Sequence, residues 1–599
     1  MKRFKLLAGL LCAFFMYGCS LDYENTNGIT PDGVWKDAKM IDAFLSNIYG
    51  NMMPGWPIAA NNTDEGMNGP TEMNQYVRGE YSVDISGQGL DYRFIDRINF
   101  FLTNLETVDA SVLTQKEKDQ MRGQALFWRA WNYWDKVFTL GGVPLILEVQ
   151  DVSDINSLLV SRNSTSECMA QIVKDLDEAI SLLPDTWDDA NYARIDKGCA
   201  MALKGRILLA YASLLFNPNH DSDRWQKAYE ANKAAVDFLQ GVGKGLYQGK
   251  YADIWYDEQN CEVIMVNQFF GPDHYLDQKN IRPLPLTRDM AEQNQAILPL
   301  LLAFPKADGT PLELDVNRLA NDMDYNQKFV NEFYNNRDPR FHQTVFCPGM
   351  EYPCDDVLLG ENKYWNGWHI LDDGAYAHLT MDEFGKAAGA SSNFYQRKGL
   401  DYNINASKVY EAQVDWVEIR FTEVLMNYGE CANEVGKSGE ALQVLYDVRK
   451  RAGIENTTGN YGITATSQGD IREAYMTERY IEFAYEGKRW NDLRRWKRFD
   501  ILNNIKYRSS LWLVINDYSI VEKGNFDWTK DMLDPEVNKL FRFNYIECVD
   551  GDTPQKQSKP RYPSIPCLSI GAYLIQVYSI SGLSLSPLSG RAPTYNVTR

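Results

Sequence analysis

The residues of this chain whose types could run a reaction are three pairs of adjacent acids, Asp64/Glu65, Asp355/Asp356 and Asp372/Asp373. Two carboxyl groups flanking a glycosidic bond at a set separation can hydrolyse it, one as acid and one as base or nucleophile. Adjacent acids also occur on any acidic surface, and the 599 residues carry a formal charge of -20, so solvated surface is the favoured reading. Other chemistries lack their residues. The five His, at 220, 274, 342, 369 and 378, form no HExxH, which argues against a zinc enzyme. No GxSxG and no GxxxxGK[ST] occurs, so neither a serine hydrolase nor an NTPase is supported. Asp-rich loops would suit calcium, but no DxDxDG loop is present. No cofactor is expected. The acidic balance argues against nucleic acid, whose phosphates need a basic patch.

Aromatics are the stronger clue. A sugar ring has an apolar C–H face, which Trp or Tyr covers, and a hydroxyl rim, which Asn, Asp, Gln or Arg can bond. Tyr364, Trp365, Asn366 and Trp368 crowd together between turn-forming residues, and Trp56, Tyr76 and Tyr81 form an earlier set. These seven are the candidate glycan-binding residues; packing beneath their own loops is the competing reading for each.

The elements that must position them are helices. Apolar residues recur at helical spacing over 37–50, 92–105, 121–140, 168–183, 198–215, 225–239, 417–435 and 439–452. Paired helices with mixed large and small positions resemble tetratricopeptide units. The expected architecture is therefore mainly α, with helical repeats over about 92–240 and 415–500. A loop-rich region with short strands, such as the run around Val263–Val266, covers about 51–90 and 245–415. Residues 500–560 read as polar loop. Of ten Cys none forms a CxxC pair; Cys347 and Cys354 are close enough to close a small disulfide loop, and the others read as core thiols. Residues 1–18, with Lys2, Arg3 and Lys5 before an apolar run ending at Gly18, read as a signal peptide. Cleavage before Cys19 would leave that residue as a lipid anchor on a polar tether, 19–35.

The segment 471–499 organises the rest. It reads as one helix over 471–486, a left-handed turn at Gly487, and a second helix bearing Trp490, Leu493 and Trp496. Glu478, Glu482 and Glu486 stack like charges at i, i+4 and i+8, which is unfavourable in an isolated helix and so demands cations opposite. Arg489, Arg494 and Arg495 are the nearest candidates.

That segment, as Glu478-Arg479, Glu482-Phe483, Glu486-Gly487, Arg489-Trp490, Asp492-Leu493 and Arg495-Trp496, matches ER-x-x-EF-x-x-EG-x-RW-x-DL-x-RW and resembles the SusD/RagB family of outer-membrane nutrient-binding lipoproteins. Gly141-Gly142-Val143-Pro144-Leu145 and Asn336-Arg337-Asp338-Pro339-Arg340 resemble further family segments; Arg337 and Asp338 are expected to form a structural salt bridge. The resemblance covers Cys19 to about Pro566, so 36–566 is expected to be one such domain and 567–599 an atypical tail. It implies that the signature belongs to the helical core and that the protein is not an enzyme. It also implies a surface-facing lipoprotein that captures oligo- or polysaccharide and passes it to a SusC-like TonB-dependent transporter. The alternatives are a surface glycoside hydrolase using one acid pair, and a peptide-capturing or purely protein-binding scaffold.

Overall fold

Side chains that accept backbone N–H groups set most helix starts. Asp37 caps α1 (Ala38–Met52), Thr114 and Glu117 form a capping box on α3 (Gln115–Leu140), and Ser164 and Glu167 form one on α4 (Thr165–Leu182). Asp196 caps α5 (Lys197–Ala212) and Asp221 caps α6 (Ser222–Gly241); α2 (Arg93–Thr107) starts without a side-chain cap. The computed structural model describes residues 31–548 apart from 57–59, 68–89, 152, 156–157, 280, 282–293, 351–391, 393, 405–407, 458, 504–507, 518, 523 and 528–529. The expectations for Cys19, the signal peptide, residues 19–30 and 549–599, Tyr76, Tyr81, Tyr364, Trp365, Asn366, Trp368 and the acid pairs at 355–356 and 372–373 fall outside the described residues.

The middle of the chain is less regular. It carries β1 (Gly66–Met67), β2 (Val263–Asn267), β3 (Gln295–Ala296), α7 (Leu298–Ala303), α8 (Met323–Asn335), α9 (Arg340–Thr344), β4 (Val345–Phe346), β5 (Tyr395–Gln396) and β6 (Trp416–Arg420), besides shorter turns. The last part holds α10 (Phe421–Glu434), α11 (Ser438–Ala452), α12 (Gln468–Glu482), α13 (Arg489–Trp496), β7 (Arg508–Ile515) and β8 (Phe541–Cys548). Among the described residues the fold is mainly α, with short antiparallel strand pairs.

Helices α3 and α4, α5 and α6, and α10 and α11 pack pairwise, and α10 also lies on α5 and α6. Their shared core buries Trp128, Leu176, Leu203, Val424 and Leu445. A second core, around Phe329, Phe333, Phe341, Leu511, Leu513 and Phe543, joins α7–α9 to the β7–β8 pair. Helix α12 belongs to both: Ile471 and Tyr475 sit in the first core, Tyr480 and Ile481 in the second. Each such large apolar side chain contributes about 1.5–3 kcal/mol when taken from water.

Three expectations are corrected, and one open question is answered in part. The helix expected from 417 begins as strand β6, which pairs with β2, and turns helical only at Phe421. The helix expected over 471–486 ends at Glu482, where Tyr485 and Gly487 take positive φ of 64° and 69°. The polar loop expected over 500–560 contains an eight-residue antiparallel pair, Arg508↔Cys548 through Ile515↔Phe541. Cys347 is a free, buried thiol; Cys354 lies outside the described residues.

Candidate functional site

The like charges on α12 meet cations brought from far along the chain. Glu478 lies 2.7 Å from both Arg449 and Arg340. Glu482 pairs with Arg340 at 2.7 Å and Arg420 at 2.8 Å, and closely with Arg451. Glu486, carried back by the turn after the helix, takes Arg420 and Lys398, each at 2.9 Å. Asp338 adds a bond to Arg340 at 2.7 Å, and Glu262 one to Arg451 at 2.9 Å. Five acids thus face five cations, all with side chains under 10% exposed. Burial alone would raise the Glu482 pKa, but Arg451, Arg420 and Arg340 outweigh it and hold the carboxyl far below its usual range.

The arginines expected opposite this ladder are engaged elsewhere. Arg489 makes a forked pair with Asp64, at 2.8 and 2.6 Å. Arg495 binds Glu430 and, with Arg479, brackets Asp492; Trp496 donates its indole N–H to Glu430 at 2.9 Å. Arg494 donates to the Thr139 carbonyl. Trp490 packs on Phe499. Arg337 pairs not with Asp338 but with the carbonyls of Leu301 and Phe304, its guanidinium 3.7 Å from the Phe341 ring centre. Mutually paired and largely buried, this lattice braces helices and turns.

Asp64 and Glu65 are equally closed, at 2% exposure each. Asp64 is held by Arg489, and Glu65 accepts from the Tyr485 backbone N–H at 3.0 Å and from the Thr63 hydroxyl at 3.1 Å. Burial lifts the Glu65 pKa to about 7. The pair secures the left-handed Tyr485 turn and presents no open face to a bond in a substrate. Trp56 is likewise spent internally. Its indole N–H donates to the Val414 carbonyl at 3.0 Å and its ring packs on Trp416 at 4.6 Å. Gly399, at φ +73°, lies so close beneath it that a Cβ there would fall 1.9 Å from the Trp56 ring. Trp56 has no face free for a sugar, so the expectation for it is corrected to a packing role.

A corner that the sequence did not single out joins the irregular segments. Met67 of β1 pairs with Gln295 of β3. The Gln295 side chain accepts from the Ser392 N–H at 2.7 Å, and the Ala296 N–H donates to the Phe394 carbonyl at 2.7 Å. Asn294 bonds Ala60 through its oxygen and Gln396 through its nitrogen. Phe346 of β4 pairs with Tyr395 of β5. One described end of each of three segments, Met67 before 68–89, Asn294 after 282–293 and Ser392 after 351–391, therefore meets at one buried patch of hydrogen bonds. Tyr76 and Tyr81 lie in the first segment; Tyr364, Trp365, Asn366 and Trp368 lie in the third.

Comparison with known proteins is consistent with this architecture. A family model described as the SusD family matches residues 261–564. A second, described as starch-binding associating with outer membrane, matches residues 47–209. The SusD-like protein P2 of Formosa agariphila is 22% identical over 571 residues, covering 89% of this chain and 96% of that protein. A crystal structure of a SusD-like protein from Bacteroides fragilis is similar at a TM-score of 0.65 with 20% identity, covering 88% of this chain and 95% of that one. A SusD-like carbohydrate-binding protein, also from Bacteroides fragilis, matches at a TM-score of 0.60 with 19% identity, covering 88% and 96%. A laminarin-binding SusD-like protein matches at 0.52 with 18% identity, covering 78% and 94%.

Proposed function

The chain belongs to the SusD family, and from that premise we propose that it is a cell-surface, glycan-binding lipoprotein. It captures oligo- or polysaccharide without altering it and delivers it to a SusC-like TonB-dependent transporter of the outer membrane. Cys19 carries the lipid and the residues after it form the tether, which ends before the short helix Pro31–Val34 because Trp35 already packs on Phe44, Phe100 and Phe101; the binding domain runs from there to 566. The observation that carries the reading is the shared corner. It brings together Met67 and Ser392, one flank of each aromatic-rich segment, which supports Tyr76, Tyr81, Tyr364, Trp365, Asn366 and Trp368 serving one ligand. Preorganised roots lower the ordering cost of binding. The burial and pairing of Asp64 and Glu65 speak against their use as a hydrolytic pair. The helical pairs offer the extended surface that docking on a barrel requires.

The test is affinity electrophoresis of residues 20–599 through gels containing a panel of polysaccharides. Retardation by one polysaccharide, lost in the double variant Trp365→Ala/Trp368→Ala with an unchanged circular dichroism spectrum, is the expected result. Retardation that survives the double variant relocates the site. Absence of retardation by every polysaccharide, with capture of a transporter retained, overturns glycan capture in favour of a peptide-binding or scaffold role.

A further inference from the structure

A crevice of about 280 Å³ lies among α3, α5, β6 and the turn leading into α13. Its walls are aromatic: Trp134 and Phe138 of α3, and Trp416 of β6. Trp134 is half-buried and packs against Phe138 at 5.3 Å. The floor is a set of fixed ion pairs. The Glu418 carboxylate accepts from Arg206 at 2.7 Å, from Lys488 at 3.1 Å and from the Trp416 indole N–H at 3.0 Å. Glu423 takes Arg206 at 2.6 Å and lies 3.4 Å from Lys488. Burial would raise the Glu418 pKa, but Lys488 and Arg206 outweigh it and hold the group below its usual range. Asn491, three residues beyond Lys488 and so on the same face of α13, is exposed at the rim.

Four cationic and four acidic side chains line the crevice, so its fixed charges cancel. A neutral lining gives an ionic guest no net attraction. It does offer ordered donors and acceptors to a guest rich in hydroxyl groups. Aromatic walls beside polar groups suit a ring with an apolar face and a hydroxyl rim. The volume lies just under the range of drug-sized pockets, enough for one ring rather than a chain. We propose that this crevice is a binding site for a single neutral sugar residue, formed by residues other than the aromatic loop candidates. The hydroxyl rim would meet Asn491, Lys488 and Glu418, and the ring face would rest on Trp134.

The test is saturation-transfer NMR on the full-length protein in a detergent without a sugar headgroup, with a panel of neutral methyl glycosides. At least one glycoside is expected to bind with a Kd on the order of 1 mM. Its affinity is expected to fall about tenfold or more in Asn491→Ala, at an unchanged melting temperature, and in Trp134→Ala. Asn491 is the decisive variant because it is exposed and its loss leaves the ion pairs intact. An unchanged affinity in Asn491→Ala overturns the proposal, whatever Trp134→Ala does. So does the absence of transfer to every glycoside at about 50 mM, well above such a Kd. Binding lost in Asn491→Ala by a protein that no polysaccharide retards would keep this site and overturn the loop reading. Retardation without Asn491-dependent glycoside binding does the reverse.

Discussion

At the scale of single residues, the lattice on α12 predicts unequal costs. Arg420 neutralises Glu482 and Glu486 at once, from a position 1% exposed. Arg420→Met should destabilise the protein by about 3–5 kcal/mol, because two buried carboxylates lose their partner; urea unfolding measures it. Glu65 predicts a pH dependence. Its ordinary value of 4.5 rises to about 7 in the folded protein, so the native state holds a proton that the unfolded state has released. Stability from this group is therefore lost as pH rises from about 4.5 through about 7. Asp415, also lifted to about 7 by burial, acts in the same sense. Glu65→Gln should gain stability relative to wild type across that window, with little difference below it; unfolding free energies at pH 4.5, 6 and 8 check the sign. The stacked acids were legible from sequence, and so was the need for cations. Which cations was not. Arg340, Lys398, Arg420, Arg449 and Arg451 come from elsewhere in the chain, and folding, not proximity in sequence, brings them in.

At the scale of elements, Gly399 is the most constrained junction. Its positive φ and the Trp56 ring leave no room for a Cβ. Gly399→Ala should cost about 1–3 kcal/mol or more through backbone strain and displacement of the ring, read as a lowered Tm with altered near-ultraviolet dichroism. Ser467→Ala should cost about 1 kcal/mol by removing the capping box of α12. Helices were readable because their apolar period and capping residues are local. The strands were less so. Leu511, Leu513 and Ile515 alternate as a half-buried strand should, but β7 reaches β8 across a connection of 25 residues with no hairpin turn to announce it. Likewise 416–420 looks helical because the helix that follows continues its apolar run. Trp56 misled for another reason: an aromatic in an irregular stretch looks available until its indole N–H finds the Val414 carbonyl.

At the scale of the molecule, α12 couples the two cores, so they should unfold together. Ile481→Ala, which opens a cavity in the second core beside the lattice, should cost about 2–5 kcal/mol. It should also shift tryptophan fluorescence and far-ultraviolet dichroism to one common midpoint; two separated transitions would show that the cores are independent. The mainly helical architecture was legible from the apolar period along the chain, and the family from the resemblance carried by the residues of 478–496. The corner that gathers the irregular segments was not, because it rests on backbone hydrogen bonds between two-residue strands that leave no periodic trace.

That corner implies modularity. Three segments border it, and the hydrogen bonds described there run through Met67, Gln295, Ala296, Ser392 and Phe394. A frame that holds regardless of what the segments carry would let their contents be exchanged as cassettes. A chimera carrying another protein's residues 68–89 and 351–391 between these same roots should keep the melting temperature of the host and take the ligand preference of the donor.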